Sequence, residues 1–385
     1  MPLQKLALKP GVNRENTRYT SEGGWYESDK IRFRQGTPEK IGGWQRISEA
    51  TFLGVCRSLW NWVTLGSQNL IGVGTNLKFY IENGGAYNDI TPLRATVSLT
   101  NPFTTTSGSP TVSVLDANGG YTSGDFVTFS GASAVGGLTL NGEFQITIDT
   151  TATNRYFITA SSNATSAATG GGTVSAAYQI NTGSAYVVPL TGWGAGSWGA
   201  GAWGTGGTSN TQIRLWSQIN FGEDLIFGPR NGPIYYWDAT AGLNSRGVTL
   251  ASISPVGANV PSVQDLILVS DISRFVFCFG CNDLATATKN PMLIRWSDQE
   301  NATQWTPAAT NQAGSLQLSR GAEIVAAKQA RQEVLVWSDS ALYALQYVGA
   351  PVVWGAQLVG ENISIASQNA VAYANGVAYW MGVDK

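Results

Sequence analysis

Few residues of this chain have the type and spacing that chemistry needs. Cys278 and Cys281 form a C-x-x-C pair. A structural zinc takes four ligands, usually a second cysteine pair or histidines, and here only Cys56 and carboxylates remain. The pair also lies inside the strand-like stretch FVFCFG, where two small buried hydrophobes are the simpler reading. GAGSWG (194–199) and GAGAWG (199–204) match G-x-G-x-x-G by letter. Neither follows a strand or opens a helix, so neither can hold a pyrophosphate at a helix amino terminus. The chain has no histidine, which removes Ser-His-Asp and Cys-His relays, HExxH zinc sites and imidazole acid–base catalysis. There is no G-x-S-x-G and no Walker loop. The expectation is a non-enzymatic protein with no catalytic residue, no metal site and no cofactor.

WSDQENATQW (296–305) is the most distinctive short segment. Ser297, Asp298, Asn301 and Trp305 resemble the Asp-box turns of sialidase-type propellers, although Asp298 directly follows Ser297 instead of lying two residues on. A glycosidase sets two carboxylates about 5–10 Å apart across the sugar, roles open to Asp298 and Glu300. The alternative is a structural turn: Asp298 and Asn301 accept turn hydrogen bonds while Trp296 and Trp305 pack between blades. The structural turn is the expectation, with a carbohydrate-binding or glycan-processing β-propeller as the competing function.

Composition sets the frame for these residues. Of 385 residues only 12% are charged, about half the roughly 25% of soluble domains. There are 46 Gly, 14 Trp, 14 Tyr and 13 Phe. A formal charge of −2 argues against gripping nucleic acid through a basic surface. No apolar run approaches the ~18–20 residues that span a bilayer, so no membrane insertion by this chain is expected. The opening MPLQKLALKPG is too short, and too soon broken by Pro10-Gly11, for a signal peptide. Three cysteines are too few for a disulfide framework, which points to a reducing cytoplasm.

Helical periodicity is nearly absent. Ala322–Gln332 splits into a strand, Ile324–Ala327, and a polar turn. One unit recurs: an apolar run, a small polar turn, then an aromatic strand. It starts at Leu70, Leu225, Phe275, Val334 and Ala370, spacings of 155, 50, 59 and 36 residues. Setting aside about 105 inserted residues in the first gap leaves a period of roughly 40–50, the mark of a β-propeller. Residues 49–96 and 206–385 are therefore assigned to the propeller. The last repeat stops just after an aromatic strand, so either the amino-terminal region supplies closing strands or, as the favoured expectation, the carboxy-terminal row is shortened.

The inserted stretch, 97–181, is rich in Thr, Ser, Ala and Gly and lacks Trp. Strands read at Thr111–Leu115, Phe126–Ser130, Phe144–Ile148 and Tyr156–Ala160 suit a small β-sandwich. Residues 182–205 form a Gly-rich loop carrying Trp193, Trp198 and Trp203 at a five-residue step, rings that need a partner surface. Residues 1–48 form a basic arm with the first strands, nine Lys or Arg against five Asp or Glu. There Lys30, Arg32 and Arg34 alternate with Ile31 and Phe33, putting three cations on one strand face. The fold class is all-β, a β-propeller with an inserted small β-sandwich domain.

The opening GVNRENTRYTSEGGWYESDKIRFRQGTPEKIGGWQRI resembles the start of the tail-nozzle, or packed-DNA stabilisation, proteins of short-tailed bacteriophages. The ITPLRA junction, the GWGAGSWGAGAWG loop, IRWSDQENATQWTP and VLVWSDSALYALQYVG are similar to that family, in order along the chain. The insert ending ATSAATGGGTVSAAYQI resembles the small β domain often found within these proteins. The resemblance implies a homo-hexameric ring below the portal and its adaptor. Such a ring continues the DNA channel, retains the packaged genome before DNA ejection, and lets genomic double-stranded DNA pass without sequence-specific binding. A tail fibre or spike and a needle or plug attach nearby in such tails. Localisation in the virion tail, after assembly in the host cytoplasm, follows. On this reading Lys30, Arg32 and Arg34 are candidates for docking the adaptor. Trp193, Trp198 and Trp203 are candidates for a subunit interface or a channel constriction.

Overall fold

The computed structural model describes residues 9–383, apart from 16, 21, 44, 47, 118–119, 184–212, 254–258 and 272. Its chain divides into two compact units, Met1–Glu49 and Ala50–Lys385. The described residues are almost entirely strands joined by short turns, so the fold is all-β.

In the smaller unit, β1 (Ile31–Arg34) pairs antiparallel with β2 (Thr37–Lys40). Gln35 and Gly36 join them at φ of 49° and 80°, the two left-handed residues of a tight hairpin turn. Phe33 packs edge-on to Trp25 at 6.0 Å.

The larger unit repeats one motif, a four-stranded antiparallel meander. Blade 1 is β3–β6 (Cys56–Val63, Asn69–Thr75, Phe79–Asn83, Ala86–Asp89). The chain then leaves for nine strands, β7–β15: Leu93–Thr100, Phe103–Thr105, Thr111–Leu115, Phe126–Ser130, Gly142–Gln145, Thr147–Ile148, Arg155–Thr159, Ala168–Gly170 and Thr173–Gln179. They form two sheets, in orders β11-β10-β15-β7 and β12-β13-β9-β8-β14. Alternate residues such as Val112, Val114, Phe129, Tyr156, Ile158 and Val174 bury one apolar core between the sheets. Blade 2 follows as β16–β19 (Trp216–Phe221, Asp224–Pro229, Tyr235–Trp237, Val248–Thr249). Blade 3 is β20–β23 (Leu266–Val269, Val276–Asn282, Lys289–Trp296, Gly314–Gln317). Blade 4 is β24–β27 (Ile324–Gln329, Glu333–Ser338, Ala341–Gly349, Val353–Glu361). A hairpin, β28–β29 (Val371–Ala374, Val377–Trp380), is the last element.

The first strand of each blade packs against the first strand of the next, from β3 through β16, β20 and β24 to β28. This places the first strands innermost, as in a propeller. Gln368, just ahead of β28, donates to the Trp216 carbonyl of β16 at 3.3 Å, so the row of inner strands curls back on itself. The fifth repeat read at Ala370 is therefore the inner pair of a blade, whereas the other four repeats are second and third strands. From β16 onward the inner strands start at 216, 266, 324 and 371, a more even spacing than the repeats showed.

Aromatic rings fill the gaps between blades. Phe79 of blade 1 lies 4.8 Å from Trp216 and 4.3 Å from Phe227 of blade 2. The Trp216 indole donates to the Thr75 carbonyl at 2.7 Å. It also covers Gly74, where a Cβ would come within 2.6 Å of the ring. Gly74 of LIGVGT is thus the notch into which the next blade's tryptophan fits, while Gly72 makes room for the Gln218 side chain. Burying each such ring contributes about 1.5–3 kcal/mol.

The insert is joined to the blades by an ionic cluster around one buried lysine. Lys78, in the β4–β5 turn, is 3% exposed. Its ammonium contacts Asp89 at 2.8 Å and Glu143 of the insert at 2.6 Å, and lies 4.7 Å over the Phe126 ring. Arg246 of blade 2 reaches Asp89 at 3.4 Å and donates to the Thr91 carbonyl at 2.7 Å. Gln179 donates to Glu143 at 2.7 Å. Burial alone would raise the Asp89 carboxyl; Arg246 and Lys78, with hydrogen bonds from Lys78 and Thr91, reverse this and hold it below its ordinary value.

Lys78→Ala strips both carboxylates of their closest cation; both are partly exposed and Arg246 stays beside Asp89, so the loss should be about 1–3 kcal/mol, below that for a fully buried pair. Because the native Asp89 pKa is depressed, its stabilisation is fully present above the unfolded value near 3.9. It fades as pH falls through the native value. Urea unfolding should show the full deficit of Lys78→Ala at pH 7, with the gap to wild type narrowing below about pH 4.

Candidate functional site

The WSDQENATQW segment is the turn that leaves the third strand of blade 3. Asp298 Oδ1 accepts two backbone N–H groups, from Gln299 at 2.9 Å and from Gln312 at 2.8 Å. The Asp298 N–H donates to the Gln304 carbonyl at 2.8 Å. Asn301 Oδ1 accepts from the Thr303 amide at 3.0 Å and its hydroxyl at 2.8 Å. The Ser297 hydroxyl donates to the Asp298 carbonyl at 2.9 Å and accepts from the Val276 amide at 3.0 Å. Glu300 stands exposed with φ of 55°. The geometry spends one Asp298 oxygen on closing a loop of fourteen residues.

The two tryptophans of the segment face opposite sides of blade 3. Trp305 is 2% exposed, donates to the Ala302 carbonyl at 2.7 Å and joins the core shared with Ile226 and Ile234 of blade 2. Trp296 donates to the Gln312 carbonyl at 2.8 Å and joins the core shared with Val336 and Tyr343 of blade 4. One turn thereby sets the spacing of three blades.

Arg295 escaped the sequence reading. It is 1% exposed, and its guanidinium donates to the carbonyls of Asn282 at 3.0 Å, Asn259 at 2.5 Å and Trp305 at 3.4 Å. A buried charge is tolerated when carbonyl dipoles satisfy its donors, and here it pins the segment from beneath. The signal was an arginine in the apolar run MLIRW. The ionic cluster around Lys78 also escaped notice, because its partners lie far apart in sequence.

Cys278 and Cys281 are fully buried in β21, on either side of Gly280, whose φ is 58°. A register shift in the pairing with β22 falls at this glycine. The Cys281 thiol donates to the carbonyls of Cys278 at 3.6 Å and Leu293 at 3.8 Å. Burial pushes the Cys278 thiol well above its ordinary value. Both sulfurs serve the core between blades 2 and 3.

In the smaller unit, Arg32 and Arg34 lie on the exposed face of β1. Arg32 pairs with Glu39 across the hairpin at 2.5 Å. Lys30 precedes the strand at φ of 57° and lies 3.8 Å from Asp29. The cation face in the strand itself is therefore two arginines rather than three cations. Trp193, Trp198 and Trp203 lie outside the described residues.

No helix among the described residues is long and apolar enough to cross a membrane. No family model and no curated protein matches the chain. Among solved structures it is similar to the phage phi92 endosialidase, with 13% identity and a TM-score of 0.25. The match covers 89% of this chain and 55% of that one, so the chain spans about half the length of the protein it matches. A likeness of that size assigns neither fold nor function.

The turn geometry makes the Asp298 acceptor oxygen the stabilising group. Asp298→Asn keeps the acceptor oxygen and should cost under about 1 kcal/mol of stability. Asp298→Ala orphans two amides and should cost about 1–3 kcal/mol. Chemical unfolding of both variants checks this; equal losses in the two would mean that the negative charge, not the acceptor, matters.

Proposed function

We propose that this chain is a non-enzymatic structural component of a short-tailed phage tail, a subunit of the nozzle ring below the portal and adaptor. The observation that carries the reading is where the family-like segments fall. ITPLRA is the junction between blade 1 and the insert, and Ile90 and Thr91 there are fully buried. IRWSDQENATQWTP is the turn that spaces blades 2, 3 and 4. VLVWSDSALYALQYVG is the β25–β26 hairpin of blade 4. Three of the family-like segments thus run through residues whose work is to hold the blades together, which is what a ring subunit around a channel requires.

The charge balance supports the same reading. Each phosphate neutralised by Lys or Arg releases counterions and strengthens binding, so a conduit works best with few cations. The chain carries 23 Lys and Arg against 25 Asp and Glu. On this account six copies surround the genomic DNA, which slides past without sequence-specific contacts. The basic amino-terminal region docks on the portal–adaptor, and the Trp193, Trp198 and Trp203 loop packs between subunits or narrows the channel. A tail fibre or spike and a needle or plug would be its neighbours in the virion.

Two substitutions test the roles. Arg32→Ala with Arg34→Ala should weaken capture by an immobilised portal–adaptor ring about tenfold or more, with an unchanged circular dichroism spectrum. Undiminished capture would remove the docking role. Trp198→Ala should lower the yield of particles with filled heads, since buried aromatic anchors dominate interfaces. Normal filled heads would contradict the loop's role.

A further inference from the structure

The first hairpins of blades 1, 2 and 3 line an open cavity of about 650 Å³ on one face of the larger unit. It is separate from the Asp298 brace, and nothing in the nozzle reading uses it. That volume falls inside the roughly 300–1,000 Å³ of small-molecule sites.

The lining combines three kinds of group. Phe221 and Tyr236 contribute half-buried aromatic rings. Glu223 and Asp224 contribute acceptors already fixed in place. Glu223 accepts the Leu65 amide at 2.6 Å. Asp224 accepts the Tyr236 hydroxyl and, at 2.8 Å, the Ala239 amide. Arg274 contributes an exposed donor at the rim, where the Thr240 hydroxyl is spent on Asp238 at 2.6 Å. Among the described residues none of these carboxylates is paired with a cation, and Arg274 is paired with no carboxylate.

A ligand suited to this wall needs an apolar face for the rings and hydroxyls that donate and accept at once. An inorganic cation or anion would use only half of it. With Asp271 also at the rim, three carboxylates face one guanidinium, and this excess repels anionic ligands. We infer that the cavity is a binding site for a neutral saccharide, with Phe221 or Tyr236 under the sugar ring and Glu223, Asp224 and Arg274 on its hydroxyls. The carboxylates are held by backbone and tyrosine donors before any ligand arrives, so little ordering is needed on binding. The site is one of recognition and carries no bond-breaking step. It stands independently of the nozzle proposal, and a nozzle subunit could carry it as a contact to surface glycan.

The test is the full chain on an array of neutral oligosaccharides built from glucose, galactose, mannose and N-acetylhexosamines, together with sialylated and sulfated counterparts. Binding to at least one neutral glycan is expected, weaker for its charged counterpart. Arg274→Ala should weaken the bound glycan about tenfold or more, as expected for a lost charge-assisted hydrogen bond. Glu223→Gln, which keeps the acceptor for Leu65, should weaken it less. Glu361→Gln, on blade 4, should leave it unchanged. Thermal melting of each variant separates lost binding from lost fold. Absence of binding to every neutral glycan, preference for the anionic ones, or binding by Arg274→Ala equal to wild type would each overturn the proposal.

Discussion

The architecture depends on how one domain is held to another by a few charges gathered around a buried lysine. The sandwich leaves the propeller after Ile90 and returns near Ile180, so two adjacent strands connect it. Chain crossings alone would form a hinge. Lys78, Asp89, Glu143 and Arg246 turn it into a fixed joint, with blade 1, the insert and blade 2 each supplying a member. Close by, Arg214 donates to the Asn181 carbonyl at 2.6 Å and Thr182 donates to the Asn76 carbonyl. A buried ion pair is not in general more stabilising than well-packed apolar residues. What it adds here is direction: the Lys78 ammonium meets Glu143 at 2.6 Å only when the insert sits against blade 1 as it does here.

Within the propeller the same problem is solved with shape. Each blade offers an apolar face that is useless alone and is covered by the next. Phe79 with Trp216 between blades 1 and 2, Phe277 with Trp354 at 4.9 Å between blades 3 and 4, and Trp337 with Trp380 at 5.8 Å between blade 4 and the last hairpin are ring contacts of this kind, made from different strands. Between blades 1 and 2 a tryptophan and a glycine are two sides of this fit, since the Trp216 indole lies where a Cβ on Gly74 would clash. The low charge follows, because surfaces stacked against one another leave few positions exposed on both faces.

Much of the fold was legible in the sequence because strand signals are local. Thr111–Leu115 and Phe126–Ser130 are strands with those bounds. Alternation read Phe144–Ile148 as one strand, but the chain changes sheets at Ile146, whose amide turns to the Asp125 carbonyl. Period-two patterning cannot show such a corner, since both halves face the same core. Spacing likewise placed the Ala370 repeat in register with the others, although it is an inner pair; hairpins look alike wherever they sit in a blade. The ionic joint was not legible at all. Lys78 reads as an ordinary turn lysine, and its partner Glu143 lies 65 residues away in another domain. Of the candidate sites, the Asp298 turn could be read as a brace because its polar residues act on their neighbours. The hairpin cavity could not, because its walls come from three blades.

The central claim is that this rigid block is a ring subunit under a portal. Electron microscopy of the purified protein mixed with the portal–adaptor complex, classified for rotational symmetry, tests it most directly. The account predicts added density below the adaptor with sixfold symmetry and an open axial channel. Single particles of propeller size that ignore the adaptor would contradict it.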